Sequence, residues 1–331
     1  MKHRTFVVTS TVVMFVMTGV IAGLALYSTM AVKASIPGLP DSLAYLPPDS
    51  QAVFGMNVQK FIASPVYARF EQKHGQEIGS DLAEFIAKTG VDPRRDVHYI
   101  IAAVKSIENR KGTGVVIAEG TFNLGTITNF ISAQPGAIKL DYNGVTVWMI
   151  PEKDGSSIEK GAALISDTEI AIGEIGTLKN VLDIRKNRTA SVLDAPTLGS
   201  LIKTLNPDEM FWFAGDPTNV LAKAPANTPL GANITAIANV FGTLNLTTEV
   251  AGKITVTAKD EVSAGKLADV AKGILALASL ASDQNPQLAE LLKGVLIQQD
   301  KTQVVLKLNF PFELLDKLDQ LHKPAATKKV A

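Results

Sequence analysis

Apolar residues in this chain fall into short runs separated by turn residues, with a few longer stretches of helical period. The short runs predict strands at Ala52–Val58, Val97–Val104, Gly114–Phe122, Ile138–Asp141, Val145–Ile150, Ala163–Ser166, Glu169–Gly173, Met210–Gly215, Phe241–Glu249, Lys253–Lys259, Leu296–Gln299 and Gln303–Phe310. Asn143-Gly144 between two of them is the preferred pair for a two-residue type I′ hairpin. Ser64-Pro65 opens a helix that should end near Gly75. A second should start at Ser80 or Asp81, with Glu84 available for a capping box, and stop at Gly90. Asn123 caps a short helix, Leu124–Ser132. Further helices are expected at Leu178–Arg185, Leu198–Leu205, Ser263–Ala281, Pro286–Leu292 and Phe312–Leu321. Ser263–Ala281 is apolar almost all round, the pattern of a helix buried on every side. The functional alternative is a greasy face for a lipid, a partner or the membrane surface.

The amino terminus follows a different rule. Lys2, His3 and Arg4 precede an uncharged run from Thr5 to Val32 whose apolar body is Phe6–Tyr27. About 20 apolar residues in a helix rising 1.5 Å each cross a bilayer core of roughly 30 Å, whereas a cleaved signal needs only about 7–15. The length predicts a retained transmembrane anchor, and the basic stub predicts its N-terminus in the cytoplasm. The competing reading is cleavage after Ala34, with Val32-Lys33-Ala34 supplying the site. Gly19 and Gly23 have GxxxG spacing, frequent by chance in a Gly-rich span. Ser35–Ser42 is a linker with two prolines and a glycine.

One stretch recurs. Leu46–Ala63 and Leu205–Ala222 share five identities in eighteen positions at a constant offset, 208 − 49 = 159. Leu46, Pro48, Asp49, Phe54 and Ala63 meet Leu205, Pro207, Asp208, Phe213 and Ala222, and Asn57 meets Asp216. Pro48 with Asp49, and Pro207 with Asp208, are then two equivalent turns. The expected architecture is α+β: an N-terminal transmembrane helix followed by duplicated, largely antiparallel sheet units with helices between hairpins. The boundaries are 1–34 for the stub and anchor, 35–42 for the linker, 43–190 and 191–322 for the two copies, and 323–331 for a disordered basic tail.

Composition narrows the chemistry. Lys plus Arg and Asp plus Glu are 32 each, a balance that gives no general attraction to nucleic acid or to anionic membranes. There is no cysteine, which excludes disulfides, thiolate catalysis, Cys-ligated metals and a lipoprotein anchor. His3, His74, His98 and His322 have no metal-binding spacing. Phosphate-loop, dinucleotide-binding and nucleophile-elbow motifs are missing. SxxK occurs at Ser157–Lys160, Ser200–Lys203 and Ser263–Lys266. Lys88-Thr89-Gly90 comes before all three, the wrong order for penicillin-recognising enzymes, and SDN is missing. Asp49 and Asp208 as an acid/base pair compete with plain turn chemistry after proline, and the turn reading is preferred. Trp148 and Trp212 lie among apolar neighbours and are assigned to the core. No catalytic, cofactor-binding or metal site is assigned, and no cofactor.

Leu46-Pro47-Pro48-Asp49 before an apolar strand, Ser64-Pro65 opening a helix, and Thr89-Gly90-Val91-Asp92-Pro93-Arg94-Arg95-Asp96 before the next strand resemble a broad set of uncharacterised bacterial exported proteins. The resemblance covers roughly residues 40–320. It implies one N-terminal membrane segment and a duplicated α+β ectodomain, and no catalytic residue. The expected protein is single-pass in the cytoplasmic membrane, with its bulk in the periplasm. Its expected role is a non-catalytic envelope scaffold or partner-binding module, the partner being an envelope protein or lipid. The alternative is a carrier of lipid or another apolar ligand, held between the copies or under Ser263–Ala281. A hydrolase with an unfamiliar site is a third reading.

Overall fold

The computed structural model describes residues 40–108, 111–150, 160–206, 208–217, 231–281 and 286–314. The expected anchor, most of the loop Pro151–Gly161, most of the loop Ala222–Gly231, the greater part of the Phe312–Leu321 helix and the basic tail lie outside these residues. Among the described residues, twelve strands form one antiparallel sheet. They are β1 (Ala52–Asn57), β2 (Val97–Glu108), β3 (Lys111–Gly120), β4 (Ile138–Tyr142), β5 (Val145–Ile150), β6 (Lys160–Ser166), β7 (Glu169–Glu174), β8 (Phe211–Gly215), β9 (Ile237–Leu246), β10 (Glu249–Ala258), β11 (Val295–Asp300) and β12 (Gln303–Pro311). Their order is β11-β12-β10-β9-β8-β1-β2-β3-β7-β6-β5-β4. A single sheet therefore runs through both halves of the chain, joined where β1 pairs with β8.

The helices are α1 (Val58–Ile62), α2 (Pro65–Thr89), α3 (Pro93–Asp96), α4 (Leu124–Ser132), α5 (Ile175–Asn187), α6 (Leu198–Thr204), α7 (Glu261–Ala281) and α8 (Pro286–Lys293). Side-chain alternation along β8 divides them between two layers. Trp212 and Ala214 point into a core shared with the 3₁₀ turn Asp41–Tyr45, α5 and α6, around Leu43, Val53, Ile101, Leu178 and Ile202. Phe211 points the other way, to the face where Phe61 of α1, Val66 of α2 and Leu291 of α8 pack against Leu244, Leu308 and Phe310. On this second face α7 covers Ile237, Ala258 and Val304.

Local signals explain most element ends. Asn123 accepts from the Thr126 N–H at 3.1 Å, and Ser64 caps α2 by accepting from Tyr67 N–H at 3.2 Å. Asn143 (φ 57°) and Gly144 (φ 81°) form the β4–β5 hairpin turn. Trp148 and Trp212 are buried.

Three expectations are corrected. The two helices predicted before Gly90 are one, α2. Gly75 and Gly79 each cost about 1 kcal/mol against alanine, too little to end a helix without a left-handed residue or proline. The left-handed residue arrives only at Gly90, φ 70°. The break predicted between the strands Phe241–Glu249 and Lys253–Lys259 falls instead at Thr247-Thr248, where the Thr247 hydroxyl bonds the Glu249 backbone in both directions, at 3.2 and 3.3 Å. Gly252 is inside β10, opposite Leu308. Finally, α7 is not buried on every side: it lies on the outside of the sheet with one flank in solvent.

Candidate functional site

Among the described residues three places gather chemistry: an open, shallow depression, a half-buried carboxylate pair, and the outer flank of α7.

The depression is open and lined by Gly90, Arg95, Asp96, Thr121, Phe122, Asn123, Leu124 and Asp167. Its carboxylate Asp96 is already spent on structure. Arg95 donates to it through Nε at 2.6 Å and Nη2 at 3.0 Å, and the Asp92 N–H donates at 2.7 Å. The Arg95 guanidinium holds the Asp96 carboxyl below its ordinary range, which suits a fixed ion pair and not proton transfer.

The carboxylate pair is Glu119 on β3 and Glu169 on β7, directly opposite each other in the ladder. The 3₁₀ turn Asp41–Tyr45 closes over them. The Ser42 hydroxyl donates to Glu119 Oε1 at 2.5 Å, and the Tyr45 hydroxyl donates to Glu169 Oε1. Arg185 of α5 stands 3.8 Å from Glu169 Oε2 and over the Tyr45 ring at 5.9 Å. Burial first, and then the neighbouring Glu169 and Asp41 charges, push the Glu119 carboxyl up, against the lowering effect of Ser42. Burial also pushes the Tyr45 hydroxyl far above its ordinary value. Ser42 is fully buried and Tyr45 nearly so, while the two glutamates are half-buried beneath them. The pair fastens the first described turn of the chain to the sheet.

The repeated aspartates do not meet. Asp49 pairs with Lys105 at 2.7 Å, and Asp208 pairs with Lys60 at 2.7 Å. Because β1 and β8 are antiparallel, the two turns fall at opposite ends of the strand pair, roughly 20–30 Å apart at 3.3 Å per residue. His98 is exposed on β2. Among the described residues no three His, Asp or Glu side chains come together as a metal site.

The flank of α7 is different, because large apolar side chains on it lie in solvent. Asp260 starts the helix, accepting from the Ser263 N–H at 2.7 Å and from the Ser263 hydroxyl at 3.0 Å. Alanines at 264 and 268 let the helix approach the sheet closely, and Leu267 fills the gap between Ile237, Ala258 and Val304. The opposite flank begins charged, with Lys266, Asp269 and Lys272, and then carries no charge from Gly273 to Ala281. Ile274, Leu277 and Leu280, at three-residue steps, stay on that one side and are 52%, 68% and 70% exposed. Val262 at the other end is 70% exposed. Exposed aliphatics grouped on one helix flank mark an interaction surface. Among the described residues no helix, α7 included, is long and apolar enough to cross a membrane. The apolar character of Ser263–Ala281 was legible in the sequence; that one flank of it would lie in solvent was not.

No family model matches the chain, and no curated protein does. Among the solved structures that align with it are two crystal forms of one protein. "Structure of crystal form I of TP0453" has a TM-score of 0.44 at 11% identity, covering 88% of this chain and 99% of that one. "Structure of crystal form III of TP0453" has a TM-score of 0.45 at 11% identity, covering 87% and 100%. Likeness at this distance carries no argument about function.

Proposed function

We propose that this protein is a non-catalytic envelope component, held by its N-terminal apolar segment with the sheet domain outside the cytoplasm, and that it acts by contact through α7. The observation that carries this reading is the uncharged flank Ile274–Leu277–Leu280, which with Val262 holds the most exposed large apolar side chains among the described residues. Supporting it, the ionisable groups that cluster elsewhere are engaged with one another, as Asp96 is with Arg95 and Glu119 with Ser42. A carrier site between α7 and the sheet has less support, since Ala264, Leu267 and Ala268 meet the strands directly.

The reading includes a duplicated architecture. Phe54 and Phe213, equivalent at the offset of 159, are direct partners in the ladder, with rings 6.5 Å apart and 15° from parallel. The flanking bonds exchange under the same shift. Asn57 N–H donates to Met210 C=O at 2.9 Å, and Asp216 N–H donates to Gln51 C=O at 2.9 Å. These features fit two equivalent strands meeting about a local twofold axis.

The test is membrane fractionation of the full-length chain, followed by extraction in mild detergent, affinity capture and mass spectrometry of proteins and lipids. Recovery of the intact chain in the membrane, with co-purifying material lost on Leu277→Asp, supports the reading. Release of a chain trimmed near Ala34 and carrying stoichiometric lipid refutes it in favour of a carrier.

A further inference from the structure

Resting on that reading, we infer that the partner of α7 is the lipid surface of the bilayer that holds the N-terminal segment, with the C-terminal half of the helix lying in the interface. The composition of the flank points to lipid before protein. Protein interface cores are enriched in aromatic residues, methionine and arginine. This flank offers only Ile274, Leu277, Leu280 and Val262. A stable protein interface also needs about 800 Å² from each side, more than a few aliphatic side chains supply. A lipid surface asks only for an apolar flank a few ångströms deep with charge beside it. Lys266 and Lys272 stand at the charged end of the helix with Asp269 between them and Glu261 before them, a mixed-charge border that stays in the headgroup layer while the uncharged half enters the interface.

The chain before Pro40 makes a small flank sufficient. From Tyr27, the end of the apolar run, to Pro40 is thirteen residues, a reach of at most about 45 Å. The first described turn is clasped to β3 through Ser42 and Glu119. In sheet order, β3 is five strands from β10 and seven from β11, roughly 24–34 Å at 4.8 Å per strand, and α7 packs over β10, β12 and β11. The clasp lies on the face opposite α7, which adds roughly 20 Å for a sheet and a helix layer of about 10 Å each. The straight-line separation from clasp to flank, about 30–40 Å, lies within that reach. An anchor on such a tether would keep the flank beside the bilayer at an effective concentration near the millimolar range, where an otherwise weak contact is occupied.

The absence of cysteine makes the test clean. Full-length protein carrying Leu277→Cys, and separately Gln298→Cys, exposed on the opposite face of β11, is labelled with a polarity-sensitive fluorophore. It is then reconstituted into phosphatidylcholine–phosphatidylglycerol vesicles with and without spin-labelled lipid. The probe at 277 should shift to the blue and lose more than half of its emission to the spin label, while the probe at 298 does neither. Ile274→Asp and Leu280→Asp in the labelled chain should abolish the effect. A vesicle-bound chain whose 277 probe is unquenched overturns the inference and leaves the anchor reading standing. Crosslinking of 277 to 277 in place of quenching assigns the flank to a second copy and also overturns it. A chain that does not float with the vesicles overturns the anchor reading, and this inference with it.

Discussion

Replacing Gly55 by alanine should destabilise this protein, although strand preferences taken alone say the opposite. A glycine inside a strand costs about 0.5–1 kcal/mol against alanine, so the substitution should help wherever there is room. Here there is none. Gly55 pairs with Trp212 across the β1–β8 junction. A Cβ on Gly55 would stand 2.5 Å from Trp212 Cζ2 and closer still to Cε2 and Nε1. Carbon contacts settle at about 3.5–4.0 Å, so the indole would have to retreat by about 1 Å or more. Trp212 is 1% exposed and donates its Nε1–H to the Tyr99 hydroxyl, which leaves it no direction to move without breaking that bond. Overpacking of this kind costs about 1–3 kcal/mol, which exceeds the gain in strand preference. The assay is urea unfolding of the purified full-length chain, followed by far-ultraviolet circular dichroism. The midpoint should fall, with an unchanged slope. Trp212→Ala should cost about 3–5 kcal/mol by itself. In that background Gly55→Ala should lose its penalty, an interaction of about 1 kcal/mol or more in a double-mutant cycle. A Gly55→Ala chain as stable as the parent would show that the indole does not occupy the space over the glycine, and the account of the junction would fall.

Glu119→Gln keeps an oxygen for Ser42 and removes a charge that faces Glu169. The folded Glu119 carboxyl lies above its unfolded value, so the folded state holds the extra proton as pH rises past the ordinary carboxyl range, and wild-type stability falls across that window. The variant should therefore be more stable at pH 7, by about 0.5–1 kcal/mol on the scale of cross-strand charge pairs, and lose the advantage below about pH 4. Melting curves at the two pH values check this, and a variant less stable at neutral pH contradicts it. Gly144→Val should lower the melting temperature by the equivalent of about 1–3 kcal/mol. Its φ is 81° in open space, so the cost is backbone strain and not a clash. Asn123→Ala should cost about 1 kcal/mol through loss of the α4 cap, read by the same unfolding curves. Leu277→Asp should change stability by no more than about 0.5 kcal/mol, as expected of an exposed residue. A loss of several kcal/mol would mean that the flank is packed.

What the amino-acid sequence determined by itself is what is written locally. Asn143-Gly144 specifies a turn because only its backbone needs two positive φ values, and it appears where expected. Asn123 and Ser64-Pro65 announce helix starts because an orphan N–H is satisfied within three residues. Apolar runs mark strands because each must bury a face. The continuation of α2 past Gly75 is not legible locally, because a glycine ends a helix only where its φ turns positive, and neighbouring residues decide that. The joining of β1 to β8, the clasping of Glu119 and Glu169 by Ser42 and Tyr45, and the separation of Asp49 from Asp208 all rest on residues far apart in the chain. No local pattern encodes such contacts. The same holds for the candidate site. The sequence marks α7 as apolar all round, but only its seat on the sheet decides that Leu267 is covered and Leu277 is left in water. Burial is a property of neighbours, and the neighbours of α7 come from strands both before and after it.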